Sequence, residues 1–273
     1  MCIICTGEIN DKNLNTLTEL DVSYCSKLTS EKLQEVLIQC KNLKELVCSS
    51  CKSLTSLDLR SINLETLRCY NCPSLTSLDL RSINLETLRC YNCPSLTSLD
   101  LRNNLNLETL NCSNCEYLTS LDLRSNINLV TLDCSDCTSL TSLDLRSNSE
   151  GVTSKGCINL TVLWCSSCTS LTSLNLLSNI NLTVLECYNC RTLTSLNLLS
   201  NIENIHHSKC PWISQNKDFS SNLQRLIKIQ RWYRKLLLIK YMKSKQFIEW
   251  IYNPNNIGGK FCKKELNCFL EDM

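Results

Sequence analysis

Leucine recurs along this chain with a fixed set of companions. The pattern LxxLxCxxCxxL makes Leu46, Leu67, Leu88, Leu110, Leu132, Leu163 and Leu185 equivalent, at steps of 21, 21, 22, 22, 31 and 22 residues. Upstream, Leu17, Leu20, Val22, Cys25 and Leu28 fill the same slots; downstream, Ile202, Ile205, His207 and Cys210 do so, which makes nine units. Residues 53–73 and 74–94 are one 21-residue sequence, SLTSLDLRSINLETLRCYNCP, written twice in tandem. A unit of this length cannot bury its leucines alone, so the period predicts stacked coils with one continuous core, a solenoid that needs a cap at each end. Each unit has two halves, one around LxC and one reading LTSLDL, and both alternate apolar with polar residues. That period of two predicts two short strands per coil, stacked on their neighbours about 4.8 Å apart.

LETLRCYNCPSL resembles the strand-and-turn signature of leucine-rich repeat proteins, and the nested LTSLDLRSxxNL resembles the variant with alternating 10- and 11-residue halves. The resemblance covers about three quarters of the chain and implies an α/β leucine-rich repeat arc of about nine coils. In such an arc the strands of one half lie parallel on the concave face and the short strands of the other on the convex face. The first unit differs, with a step of 26 residues and the insert TSEKLQEVLIQCKN, and it is similar to the cysteine-containing repeats of F-box adaptor proteins. There Leu33, Val36, Leu37 and Cys40 fall at helical spacing behind a Thr or Ser cap. Only the half with Val22 and Cys25 has a strand pattern in that unit, so the cysteine half is assigned to the concave face throughout.

Three segments follow: an N-terminal cap over residues 1–16, the solenoid over 17–213 with an insertion near 147–156, and a basic helical segment over 214–273. Gly151 and Gly156 mark the insertion as a loop of nine extra residues. After Ile213 the rhythm stops and the composition shifts to 12 basic and 5 acidic residues, against 16 and 21 before it. From Ser220 a basic amphipathic helix is expected, ending near Pro254. Its apolar stripe would cap the last coil over Leu177 and Leu199, where Leu replaces the Arg of earlier units. The stretch IQRWYRKLLLIK resembles an IQ motif through Ile229, Gln230 and Arg234, with Lys240 one place late as the second basic residue. That resemblance implies a calmodulin-like partner, and a basic amphipathic helix also suits an anionic lipid surface.

Sixteen of the 22 cysteines make eight CxxC pairs, seven of them at two inward slots of the repeat. Packing is the favoured reading: a buried thiol behaves as a small hydrophobe with a weak donor, and in the second slot it can reach backbone where the strand turns. Val22 and His207 replace the first Cys in the end units, as a packing position tolerates. The alternative is a thiolate metal-binding protein, in which Cys69, Cys72, Cys90 and Cys93 form the quartet to test. No cofactor is expected, nor a resident metal on the packing reading.

The net charge is +2, from 28 basic and 26 acidic residues, without the basic excess of a nucleic-acid protein, and the two His adjoin each other in the last coil, remote from any triad. No apolar run of membrane-spanning length occurs. The chain is therefore expected to be non-enzymatic, to bind neither nucleic acid nor membrane through a spanning segment, and to reside in the reducing cytoplasm, that of a host cell if it is viral. Its Leu–Cys repeats, Asn-, Ile- and Lys-rich usage and IQRWYRK tail resemble leucine-rich repeat proteins of giant amoeba-infecting DNA viruses.

On the convex strands Asp58, Asp79, Asp100, Asp122 and Asp144 form one column and Arg60, Arg81, Arg102, Arg124 and Arg146 the next, expected to neutralise each other. The outward positions of the concave strands vary instead. Asp21, Val47, Arg68, Arg89, Asn111, Asp133, Trp164, Glu186 and His206 run along the centre, beside Tyr70, Tyr91 and Tyr188 and next to Val162 and Val184. Trp, Tyr and Arg are the side chains that anchor interfaces. The expected activity is thus that of a protein-interaction scaffold or signalling adaptor holding a protein or peptide around Trp164. The first repeat suggests a narrower version, a ubiquitin-ligase-type substrate receptor; sixteen residues ahead of the array leave no room for an F-box of its own.

Overall fold

A computed structural model describes residues 4, 14–60, 62–81, 84–146, 156–197 and 204–211. Nine strands of three residues each form one parallel sheet: Glu19–Asp21, Glu45–Val47, Thr66–Arg68, Thr87–Arg89, Thr109–Asn111, Thr131–Asp133, Val162–Trp164, Val184–Glu186 and Asn204–His206. Nine strands in one sheet leave eight turns of chain between them. The register follows the sequence alignment without a slip: Leu46 pairs with Leu67, Leu88 with Leu110, and Leu132 with Leu163 across the 31-residue step. The 31-residue step therefore leaves the register of the sheet undisturbed. Register is this firmly set because each central Leu is at most 2% exposed from Leu20 to Leu185, and a slip of one residue would turn every one of them to solvent. Burying each contributes about 1.5–3 kcal/mol.

The first coil closes differently, through the helix Ser30–Leu37. Thr29 caps it in extended conformation, its Oγ1 accepting the Lys32 N–H at 3.4 Å, while Leu33 and Leu37 turn inward. Ser30 ties this helix to the next coil, its Oγ accepting the N–H groups of Thr55 and Ser56 at 3.2 and 2.9 Å.

On the opposite side the LTSLDL halves form three separate pairs: Ser56–Asp58 with Ser77–Asp79, Ser120–Asp122 with Ser142–Asp144, and Ser173–Asn175 with Ser195–Asn197. The expected unbroken row of short strands is thus interrupted. Residues 98–100 are not a strand, and no pairing joins Ser142–Asp144 to Ser173–Asn175. Both breaks fall where the coil changes length, from 21 to 22 residues and then at the 31-residue coil. The long sheet stays in step across both changes of length.

The Asp and Arg columns pair mainly within a coil. Arg60 Nε and Nη2 fork onto Asp58 Oδ1 and Oδ2 at 2.9 and 2.6 Å, and the same fork recurs at Asp79/Arg81, Asp100/Arg102, Asp122/Arg124 and Asp144/Arg146. Residues i and i+2 of a strand share a face, which places the guanidinium over the carboxylate two residues back. Each Asp also accepts the backbone N–H of its Arg, closing the turn out of the strand. Coil-to-coil pairing is secondary, from Arg60 to Asp79 at 3.3 Å and from Arg124 to Asp144 at 3.6 Å.

Hydrogen bonds from the Arg side chains hold these carboxyls below the ordinary carboxylate range, Asp79 at about 2. A carboxyl whose pKa is depressed by folding stabilises the fold above its unfolded value, about 3.9, and loses that contribution as pH falls through the folded value. The thermal midpoint, followed by circular dichroism, is therefore expected to fall most steeply between about pH 4 and pH 2. A flat midpoint across that window would show that the Asp–Arg column contributes nothing to stability.

The expected N-terminal cap is described only at residue 4 and from Leu14, where Leu14–Thr16 forms one 3-10 turn with Leu14 buried. The C-terminal helix, Leu199 and the loop over 147–155 lie outside the described residues. Leu177, expected beneath that helix, is 48% exposed.

Candidate functional site

The cysteines settle into two inward ladders. All eighteen described cysteines are outside any disulfide and buried, and every one in the CxxC pairs from Cys48 to Cys190 is 0% exposed. The second thiol of each coil donates to the carbonyl of the first-slot residue one coil earlier. Cys51 reaches Val22 O at 3.3 Å, Cys72 reaches Cys48 O and Cys93 reaches Cys69 O at 3.2 Å each. The series runs on through Cys115, Cys137, Cys168 and Cys190 at 3.1–3.2 Å to Cys210. These contacts recur because the corner between the two cysteines is made by one residue at positive φ in every coil: Tyr24, Ser50, Asn71, Asn92, Asn114, Asp136, Ser167, Asn189 and Lys209. Five of the nine are Asn or Asp, the non-glycine residues that tolerate this conformation best. Sequence reasoning placed the thiols near backbone but missed this corner, whose signal was the Asn or Asp before the second Cys.

Burial pushes the Cys48 and Cys69 thiols well above their ordinary range, and Cys157 up to about 12. Neutral, buried and hydrogen-bonded thiols are poor nucleophiles and poor metal ligands. Among the described residues no group of three or more His, Cys, Asp or Glu is disposed to hold a metal ion. The eighteen thiols are expected to resist a thiol-specific disulfide reagent in the native chain and to react once it is denatured. Rapid native reaction at more than the four remaining cysteines would contradict this burial.

A second polar column, absent from the sequence-based expectations, lines the opposite turn. Asn104, Asn126, Cys157 and Asn179 occupy one slot in successive coils, each with its side chain donating to backbone carbonyls of the preceding coil. In the first 21-residue coil the slot holds the buried Ile62, and the sequence of the second aligns Ile83 with it. The signal was the extra residue of the longer coils, which widens the turn enough for an amide.

The long sheet carries the variable residues in the order the sequence gives them. Register places Asp21, Val47, Arg68, Arg89, Asn111, Asp133, Trp164, Glu186 and His206 in one column, and Val162 beside Val184 in another. Trp164 is half-buried and Tyr188 is 44% exposed. The column is not uniformly available. Arg68 is ion-paired with Glu45 of the preceding strand, while Lys44 pairs with Glu65 at 2.6 Å. Asn111 and Asp133 turn an oxygen back onto the N–H groups of Ser113 and Ser135, both at 3.0 Å. Tyr70 and Tyr91 stack with ring centroids 4.5 Å apart and planes within 4°. Ser166, two residues beyond Trp164, is 2% exposed with no hydrogen-bond partner for Oγ among the described residues. The IQ-like residues Ile229, Gln230, Arg234 and Lys240 lie outside the described residues.

No protein-family model matches the chain, and no curated protein does. Among solved structures it is similar to the functional domain of InlJ from Listeria monocytogenes, which includes a cysteine ladder: 20% identity over 74% of this chain and 65% of that one, TM-score 0.22. The chain thus spans just under two thirds of that domain. It is also similar to internalin C2 of the same species, with 14% identity over 73% and 84% of the two chains and a TM-score of 0.33. A leucine-rich repeat protein of Leptospira interrogans shares 17% identity over 72% and 86%, TM-score 0.24. The solenoid architecture of this chain rests on its own coils, in which each LxxLxCxxCxxL unit contributes one strand to a parallel, in-register sheet.

Proposed function

We propose that this chain is a non-enzymatic interaction scaffold or adaptor that holds a protein or peptide on the exposed face of its nine-stranded sheet. One observation carries the reading. The leucine and cysteine core positions repeat from coil to coil with few exceptions, whereas the outward column changes identity at nearly every strand, from Asp21 through Arg89 and Trp164 to His206. Residues that hold the fold are nearly constant; the side chains free to distinguish one partner from another sit together on one surface. Buried thiols such as Cys48 and Cys69, which burial pushes well above their ordinary range, are poor nucleophiles, which favours binding over catalysis. Their number and reduced state suit a reducing, intracellular compartment. The metal-binding alternative is disfavoured by second-slot thiols that are already directed at carbonyls.

Trp164 is the expected anchor: it is the largest side chain of the column, half-buried, with Val162 on its own strand and Val184 on the next. Trp164→Ala is expected to weaken partner capture by about 30-fold or more, as loss of a central aromatic anchor does, while the far-UV circular dichroism stays unchanged. The measurement is a quantitative pull-down with the full chain as bait, wild type against variant. An identical set of captured proteins from both would remove the sheet face around Trp164 from consideration.

A further inference from the structure

The Tyr70–Tyr91 stack is flanked by serine at both ends, Ser49 beyond Tyr70 and Ser113 beyond Tyr91. Both tyrosines stand in the column beside the central one, and their spacing of 4.5 Å matches the step between coils. Beyond Tyr91 the same column continues with Ser113, Ser135 and Ser166 before the next aromatic, Tyr188. Ser113 is small and its hydroxyl is engaged, donating to Asn111 Oδ1 at 2.8 Å. One ring face of Tyr91 therefore lies on Tyr70, and the other looks along a row of serines one coil step away. A planar group laid over Ser113 would extend the stack by one ring.

The charge beside this open face has one sign. Arg89, two residues before Tyr91 on the same strand, is exposed and has no ion-pair partner among the described residues, whereas its neighbour Arg68 is held by Glu45. Across the next strand the column offers Asn111, which is neutral, and no carboxylate enters until Asp133, two coils on. A free guanidinium next to a free aromatic face matches a partner that brings both an aromatic ring and a negative charge within a few ångströms of each other.

We infer that Tyr91, Arg89 and Ser113 form a slot for a peptide segment in which an aromatic residue stands next to, or one residue from, an Asp or Glu. The ring stacks on Tyr91 above Ser113, and the carboxylate meets the Arg89 guanidinium, whose planar donor fork suits it. The duplicated unit makes the slot: its two copies supply the stacked pair, and Glu45, reaching only the first copy, leaves the second Arg unpaired. This rests on the proposed use of the sheet face for peptide binding and shifts its specificity from Trp164 toward the fourth strand.

The test is selection of random linear peptides displayed on phage against the full-length chain, followed by binding of the enriched peptides to Arg89→Glu, Tyr91→Ala and Trp164→Ala variants. Circular dichroism and native thiol protection check that each variant is folded. Enriched sequences are expected to carry the aromatic–acidic pair and to bind Arg89→Glu and Tyr91→Ala at least about tenfold more weakly than wild type. Peptides that lack the pair, or that bind both variants as tightly as wild type while losing affinity for Trp164→Ala, would overturn the slot and leave the scaffold reading intact. Failure to enrich any peptide would overturn both.

Discussion

Asn126→Asp is expected to destabilise the array severely, and increasingly so as pH rises. Asn126 is 0% exposed, and its Nδ2 donates to Leu101 O at 3.1 Å and Asn104 O at 2.8 Å. An Asp of the same shape brings a second oxygen to those two carbonyls. It can stay only by keeping its proton, so its pKa is raised in the folded chain relative to about 3.9 unfolded. For a carboxyl shifted in that direction the deficit is small at low pH and grows as pH rises above the unfolded value, by about 1.4 kcal/mol per unit while the folded group remains neutral. At pH 7 that amounts to about 4 kcal/mol, a large part of the 5–15 kcal/mol typical of a folded domain. Asn126→Leu separates the two causes. It leaves both carbonyls without their donor but also removes Asn126 Oδ1, which is itself buried without a partner, so the expected loss is about 1–3 kcal/mol and independent of pH. Urea unfolding of the parent and both variants at two pH values measures this directly. A pH-independent deficit in Asn126→Asp would mean that the turn opens to water there and that the asparagine column is not a core element.

That column shows where sequence reading reached and where it stopped. The leucine and cysteine slots were legible because burial imposes the same residue type at the same place in nearly every coil, and repetition makes the constraint visible. Even the alignment of Leu132 with Leu163 across the insertion holds, since the sheet admits no other register. The asparagines were less legible because the slot alternates among Ile, Asn and Cys according to coil length, so that no single residue type repeats through the array. The positive-φ corner hid for a similar reason: Tyr24, Ser50, Ser167 and Lys209 occupy it beside Asn and Asp, because the backbone geometry is set by the ladder on either side. The Asp–Arg columns were read as neutralising each other, and they do so chiefly within a coil, each Arg reaching the Asp two residues back. For the candidate site, membership of the outward column followed from the period of two. Which members are free did not, because the Arg68–Glu45 pairing depends on side-chain paths between neighbouring strands. Arg89, identical in local sequence to Arg68, differs only in its neighbour: Thr66 stands where Glu45 does one coil earlier.

The same duplication supports an expected result on the scale of a whole coil. Removing residues 74–94 leaves Pro73 joined to Ser95, the sequence already present at Pro94–Ser95, and every coil junction in the shortened chain has a counterpart in the parent. In a solenoid, stability is close to a sum of coil and nearest-neighbour terms, so the deletion is expected to fold and to lose about one coil's share, roughly 1–3 kcal/mol at 0.05–0.15 kcal/mol per residue. Removing only residues 74–84 is expected to prevent cooperative folding, because it sets a Leu–Cys half directly after another and leaves that coil without its LTSLDL return. The whole-coil deletion also separates the two binding determinants. It keeps Trp164, Val162 and Val184 with their own neighbours, but reduces the two Arg–Tyr coils to one whose Arg faces Glu45 and whose Tyr has no stacking partner. A partner anchored at Trp164 should still bind the shortened chain, and a partner read by the open face of Tyr91 and the unpaired Arg89 should lose at least about tenfold in affinity. Retention of both kinds of binding would mean that the second copy adds length without adding recognition.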